Sequence, residues 1–211
     1  MSRGSFITFE GPEGAGKTLQ IQLLQQSLMK RNIDCLVTRE PGGTPLAEEM
    51  RRILKFHQGE EPVFDTTELL LFSASRSQHV RFRIEPALAA GRVVLCDRFT
   101  DSTLAYQGYG RGLDLQWLRC LNDFATGGLR PDLTLLLDIA PEVSLERTGH
   151  RAAAEAGRDR IENAGQAFHR RVRDGFLALA AAEPGRIRRV DGARPVESVR
   201  QEIEELVHAI V

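Results

Sequence analysis

Apolar residues in this chain recur in two alternating rhythms, short unbroken runs and longer stretches in which they return every three or four positions. Phe6-Ile-Thr-Phe-Glu10 is a short apolar run with β-branched members and predicts a buried strand. Leu19, Leu23, Leu24 and Leu28 follow at helical spacing, and residues 34–38 predict a second strand. Leu46, Met50, Ile53 and Leu54 predict a helix. After a polar stretch over 57–65, one long helical pattern runs from 66 to about 90 and is closed by Gly91. Residues 93–97 predict the next strand, 102–107 a short helical piece, and Gly108, Gly110 and Gly112 a glycine-rich turn. A helix over 115–124 is broken by Gly127-Gly128, and the Leu-rich run 133–138 is another buried strand. Pro141 fits the first position of a helix. A helix over about 161–182, a strand over 187–190 and a terminal helix carrying Val196, Val199, Ile203, Leu206, Val207 and Ile210 complete the pattern. Strands alternating with helices predict an α/β fold of three layers, a five-stranded parallel sheet covered on both faces. With no internal repeat and no low-complexity linker, 1–211 reads as a single domain.

Charge and composition remove whole classes of function. A net charge of -1 and a pI near 6.5 argue against a chain that coats nucleic acid electrostatically. Cys35, Cys96 and Cys120 lie far apart without C-x-x-C spacing, so they read as reduced thiols and not as a disulfide or zinc framework. His57, His79, His150, His169 and His208 show no metal-ligand spacing either. No apolar run approaches membrane-spanning length and no signal peptide fits before the first strand, so the expectation is a soluble cytoplasmic protein with no membrane or nucleic-acid partner.

The first strand runs directly into Gly11-Pro12-Glu13-Gly14-Ala15-Gly16-Lys17-Thr18, the G-x-x-x-x-G-K-[ST] phosphate loop in its required strand-and-helix setting. Glycines let the backbone turn so that its N–H groups point inward, and the helix N-terminus adds partial positive charge. In such a loop Lys17 bridges the β- and γ-phosphates of a nucleotide and the Thr18 hydroxyl ligates the accompanying magnesium. The chain has three lysines and otherwise uses arginine, so a lysine at the motif position points to a role arginine does not fill. Asp97 ends a buried strand, where a carboxylate can reach the metal, and Arg98 follows it; alone the pair would read as a strand-end salt bridge. It is not alone, because other strand ends supply Glu10, Arg39, Glu40 and the turn Pro41-Gly42-Gly43. Phe72 and Arg76 stand one helical turn apart on one face.

Taken together, Phe9-Glu10-Gly11 leading into the phosphate loop, Thr38-Arg-Glu-Pro-Gly-Gly-Thr44, Leu71-Phe72 with Arg76, Asp97-Arg98, Ser102-Thr-Leu-Ala-Tyr106-Gln107-Gly108, Pro131-Asp132 and Asp159-Arg-Ile-Glu162 resemble the bacterial thymidylate kinase family, in its order and over nearly the whole chain. The resemblance implies magnesium-dependent transfer of the ATP γ-phosphoryl group to dTMP, giving dTDP and ADP, and a homodimer formed through helices, for which the long apolar helix over 66–90 is a candidate surface. It also implies that Arg98 holds the acceptor phosphate and that Glu10 is the strand-end carboxylate near sugar and metal. Phe72 alone would read as core, but in the family it stacks on the pyrimidine, while Arg76 donates to thymine O4 and repels the cytosine amino group. Thr103, Tyr106 and Gln107 fall on one predicted helical face; by resemblance Thr103 or Gln107 meets the base edge, Tyr106 crowds the ribose 2′ position and Pro41 lies near the thymine methyl. The acceptor oxygen is already ionised near neutral pH, so the chemistry needs positioning and charge neutralisation and no general base.

Two departures from the family pattern stand out. The phosphate loop carries no arginine among Pro12-Glu13-Gly14-Ala15, so positive charge has to come from elsewhere; the Arg- and Ala-rich segment 147–160 resembles the lid that supplies it, with Arg158 or Arg160 as the acting residue and Arg147 and Arg151 as lesser candidates. With few apolar anchors, that segment is expected to be mobile. Phe99 stands where an aromatic with a polar handle is common. The turn 191–194 falls where relatives of this fold hold adenine. A kinase for another nucleoside monophosphate is the nearest alternative; a P-loop switch is the more distant one, disfavoured because N-K-x-D is absent and no D-x-x-G follows Asp97-Arg98.

Overall fold

The computed structural model describes residues 3–57, 59–152 and 165–211, with the backbone alone at 148–152. Strands β1 (Phe6–Glu10), β2 (Cys35–Arg39), β3 (Val93–Asp97), β4 (Leu133–Asp138) and β5 (Ile187–Asp191) pair in parallel in the order β2-β3-β1-β4-β5. Period-two alternation decides which side each residue serves. In β1, Ile7 and Phe9 enter one core with Ile21, Leu24 and Leu28 of α1 (Lys17–Lys30), and with Val199, Ile203 and Val207 of α9 (Val196–His208). Phe6 goes to the opposite face, against Val80, Ile84, Leu88, Val94 and Phe99. Each such side chain contributes about 1.5–3 kcal/mol on burial. Thr8, on the same face as Phe6, satisfies its hydroxyl on Thr134 across the sheet at 2.8 Å.

Helices α2 (Pro45–Phe56), α3 (Asp65–His79) and α6 (Leu115–Thr126) pack together beyond the Phe6 side, and α8 (Gln166–Ala182) closes the far end over Leu136 and Ile187. The ends of α6 follow from local chemistry: Asp114 accepts the Trp117 N–H at 2.9 Å, and Gly127 takes the left-handed conformation at φ 63°.

One expectation from the sequence is refined and another corrected. The helix predicted over 66–90 is helical throughout from 65 to 89 but not uniform, because α3 gives way to a widened turn over Val80–Ile84 before the short α4 (Glu85–Ala89). Pro86 explains this: it has no N–H for the carbonyl four residues back, and its ring would clash with that carbonyl in a regular helix. After α5 (Thr100–Thr103) the chain is again wound wide over Leu104–Gly110, so Gly108 and Gly110 lie inside a helical run, and only Gly112, at φ 82°, makes the turn. Helix α7 extends over Pro141–Ala152, into the beginning of the segment 147–160. Arg158 and Arg160 lie outside the described residues, as does the side chain of Arg151.

Register sets the functional edge. Phe9 pairs with Asp97 and Glu10 with Leu136, so parallel pairing brings the C-terminal ends of β1, β3 and β4 to one side. Below that edge α5 is tied down by Asp101, whose buried carboxylate receives Arg186 at 2.7 and 2.9 Å. The same guanidinium reaches Thr134 at 2.9 Å and Glu183 at 2.8 Å, satisfying both partners of a charge pair drawn out of water.

Candidate active site

The phosphate loop joins β1 to α1, with Gly11, Gly14 and Gly16 at φ 128°, 73° and 90°. Lys17 is buried and folds back on the loop, donating to the Gly11 and Pro12 carbonyls at 3.1 and 2.9 Å. Burial, and then the neighbouring Arg98 charge, pushes its amine below the ordinary lysine range. Thr18 Oγ1 donates to Asp97 Oδ2 at 3.2 Å, so the two oxygens read from the sequence as metal ligands are brought together. Hard oxygen donors of this kind fit magnesium, which typically takes one or two protein ligands and completes its shell with water and phosphate oxygens. Beside the pair a cavity of about 550 Å³ opens between α1, β2 and the start of α2, with Arg39 and Arg83 among its lining residues. Arg39 is exposed there and pairs with Glu48 at 3.0 Å, and it also donates to the Pro41 carbonyl at 3.2 Å.

Arg98 crosses from β3 toward the loop. Its backbone sits at φ 69°, a left-handed conformation that costs a non-glycine residue about 1–2 kcal/mol and marks a position fixed by its surroundings. The side chain donates to Glu13 at 3.1 Å and to Ser102 at 3.2 Å, with its guanidinium carbon 5.0 Å from the Tyr106 ring centroid. Burial works against its charge, but Tyr106, Glu13, Asp97 and Glu10 outweigh that and raise its proton affinity.

Glu10 is fully buried and accepts three hydrogen bonds, from Phe99 N at 2.7 Å, Ser102 N at 3.2 Å and Ser102 Oγ at 2.5 Å. Burial first, and then the Asp101 carboxylate, pushes its pKa up to about 7 from an ordinary 4.5. The folded protein therefore holds the Glu10 proton more tightly than the unfolded chain, and stability falls as pH rises between those values. In the ligand-free protein the urea midpoint is expected to decline from pH 4.5 to about pH 7, and Glu10→Gln to remove that slope; an equal slope in both proteins would refute the assignment.

At the other end of the site, α3 presents a half-buried Phe72 and a buried Arg76. Arg76 donates to Glu40, Thr103, Asn122 and the Phe99 carbonyl. Phe99 itself is in the core, edge-on to Phe6 at 4.9 Å, so its lack of a polar handle leaves no unpaired group. Thr103 and Gln107 both turn toward α3, while Tyr106 faces Arg98 and the aromatic side chains of α8. Thr103 meets Arg76; Gln107 Nε2 donates to the buried Glu68 at 2.8 Å; and Tyr106 lies beneath Arg98, edge-on to Phe168 and Phe176. Burial pushes the Tyr106 hydroxyl up to about 12.

Glu40 and His79 had no assigned role in the sequence. Glu40 was visible only as part of a turn, and His79 only as a histidine without metal spacing, yet Glu40 is buried between Arg76 and His79. Its burial opposes ionisation, but the Arg76 guanidinium and His79 hold its carboxyl below the usual range. Arg147 donates to the Gly14 and Gly192 carbonyls at 3.2 and 3.1 Å, joining the phosphate loop to the turn after β5.

The family model described as thymidylate kinase matches residues 9–203. A thymidylate kinase of Trichormus variabilis is 49% identical over 204 residues, covering 97% of this chain and 95% of that protein. One of Geotalea uraniireducens is 52% identical over 208 residues, covering 98% and 97%. One of Synechococcus sp. (strain JA-3-3Ab) is 55% identical over 193 residues, covering 91% and 90%.

Proposed function

The chain belongs to the thymidylate kinase family, and from that premise we propose how its residues carry out the reaction. It is a phosphotransferase that converts dTMP to dTDP with ATP as donor. In our reading the transfer is magnesium-dependent, and the ion, held by Thr18 and Asp97, neutralises phosphate charge when bound. Gly11 through Thr18 cradle the donor phosphates with backbone N–H groups, and Lys17 moves from the loop carbonyls onto the nucleotide. Arg98 holds the acceptor phosphate, and Arg39 and Glu10 line the same end. Phe72, Arg76, Thr103, Tyr106, Gln107 and Pro41 receive the thymidine moiety. Arg158 or Arg160 completes charge neutralisation from the lid segment 147–160 of a single domain.

The observation that supports this reading best is the placement of Arg98, which reaches phosphate-loop residue Glu13 on one side and Tyr106 of the base end on the other. An arginine so placed can bring two mutually repelling anions together, and positioning is what this chemistry requires. The exposed Leu70 and Phe82 on the stretch after 65 support a homodimer through these helices. Among the described residues no helix is long and apolar enough to cross a membrane, in keeping with the cytoplasmic setting we propose.

The test is ADP release from ATP with dTMP, dUMP, dCMP, AMP, CMP and GMP offered separately, with and without magnesium. Strong preference for dTMP and loss of turnover on chelation are expected. Preference for another monophosphate would discard the base-site roles, retained turnover after chelation would discard the role of magnesium, and acceptor-independent hydrolysis would favour a nucleotide switch.

A further inference from the structure

Arg76 is 2% exposed, and nearly all of its hydrogen-bonding capacity is already assigned. Its Nε donates to Glu40 at 2.7 Å, Nη1 to Thr103 at 2.9 Å and to Asn122 at 2.7 Å, and Nη2 to the Phe99 carbonyl at 3.1 Å. A guanidinium carries about five N–H donors, so among the described residues only one donor, on Nη2, is left for a ligand. The acceptors come from four places, the loop after β2, α5, α6 and the loop after β3, so the guanidinium plane is held against both tilt and rotation. Neutralising a buried charge would need only one of them.

Glu40 is held as firmly as the arginine it holds. Its second oxygen receives His79 Nδ1 at 3.0 Å, and His79 Nε2 lies 2.7 Å from the hydroxyl of Thr38 in β2. With both oxygens engaged, the carboxylate cannot turn to follow a displaced guanidinium. Its own partners bind it to the sheet.

We infer that Glu40 is a positioning residue for base discrimination, which together with Asn122 fixes Arg76 so that a single Nη2 N–H meets the base of the acceptor nucleotide. The inference rests on the role proposed above for Arg76. A donor that cannot pivot rewards a carbonyl at pyrimidine position 4 and is left unpaired against an amino group there; a mobile guanidinium could turn aside and accept either base. Selectivity in this arrangement comes from immobility, which Glu40 and Asn122 provide without touching substrate.

The experiment compares kcat/KM for dTMP and for dCMP on the same preparation of each variant, so that the ratio is independent of the fraction folded. Glu40→Gln keeps the shape and removes the charge; the dTMP-to-dCMP ratio is expected to fall about tenfold or more, with the KM for dTMP raised and that for ATP within about twofold of wild type. A ratio unchanged within about twofold overturns the inference. Asn122→Ala is expected to move the ratio in the same direction, and decides the question if Glu40→Gln yields no active protein. Arg76→Lys separates the two readings: if it leaves the ratio unchanged, the role of Arg76 fails and the inference with it. If Arg76→Lys lowers the ratio while Glu40→Gln and Asn122→Ala do not, only the positioning role is overturned.

Discussion

Replacing Lys17 by methionine is expected to lower turnover by about 10²–10³-fold while the protein stays folded. Methionine keeps most of the side chain's length and removes only the ammonium group. In the ligand-free protein that group is buried, rests on two loop carbonyls, and has its pKa lowered by burial and by Arg98. A pKa lowered in the folded state means that the charge is carried at a cost to stability, so its removal should leave the melting temperature unchanged or raised. The functional consequence runs the other way. Two polyanions repel as the acceptor approaches the γ-phosphate, and a fixed cation at the loop offsets that repulsion most in the transition state. Turnover from an ADP-release assay, read beside a thermal melt, checks both halves. A loss of less than about tenfold would remove Lys17 from the catalytic set.

Gly11→Ala is expected to cost more than about 4 kcal/mol of stability, enough to leave much of the protein unfolded. A Cβ at this position would lie 2.2 Å from the Leu137 carbonyl oxygen, on a backbone held at φ 128°. The obstacle is main chain. Leu137 belongs to β4, which pairs with β1 on one side and β5 on the other, so neither atom can retreat without breaking the sheet. Gly16→Ala is the control, because Gly16 also has positive φ, at 90°, but nothing lies within 4 Å of its would-be Cβ. Only backbone strain of about 1–2 kcal/mol is expected there. Urea midpoints of the two variants measure the difference, and equal losses would show that the close approach to β4 is not what requires glycine at 11.

Much of this molecule was legible from the chain alone, for a physical reason. Strand and helix signals are local: period-two and period-3.6 spacing of apolar residues, a proline at the start of α7 and Gly127 after α6 act through sterics over a few residues. The phosphate loop is local too, since its glycines, Lys17 and Thr18 are contiguous. Even the Thr18–Asp97 contact follows from one further step, because parallel pairing of β1 with β3 brings both strand ends to the same edge.

What the sequence did not reveal depends on which distant elements the sheet order places side by side. The wide turns at Val80–Ile84 and Leu104–Gly110 differ from ordinary helix by one residue in the hydrogen-bond span, a difference that apolar periodicity does not resolve. Buried charge pairing is still less visible. Glu40 meets Arg76 across 36 positions, and Asp101 meets Arg186 across 85, in a chain whose arginines and acids offer many equally plausible partners. The residue pattern determined the strands, the loop that grips phosphate and the class of chemistry. Tertiary structure decided which carboxylate restrains which arginine, because a charge taken out of water must find its partner among whatever groups the packed layers bring within about 3 Å.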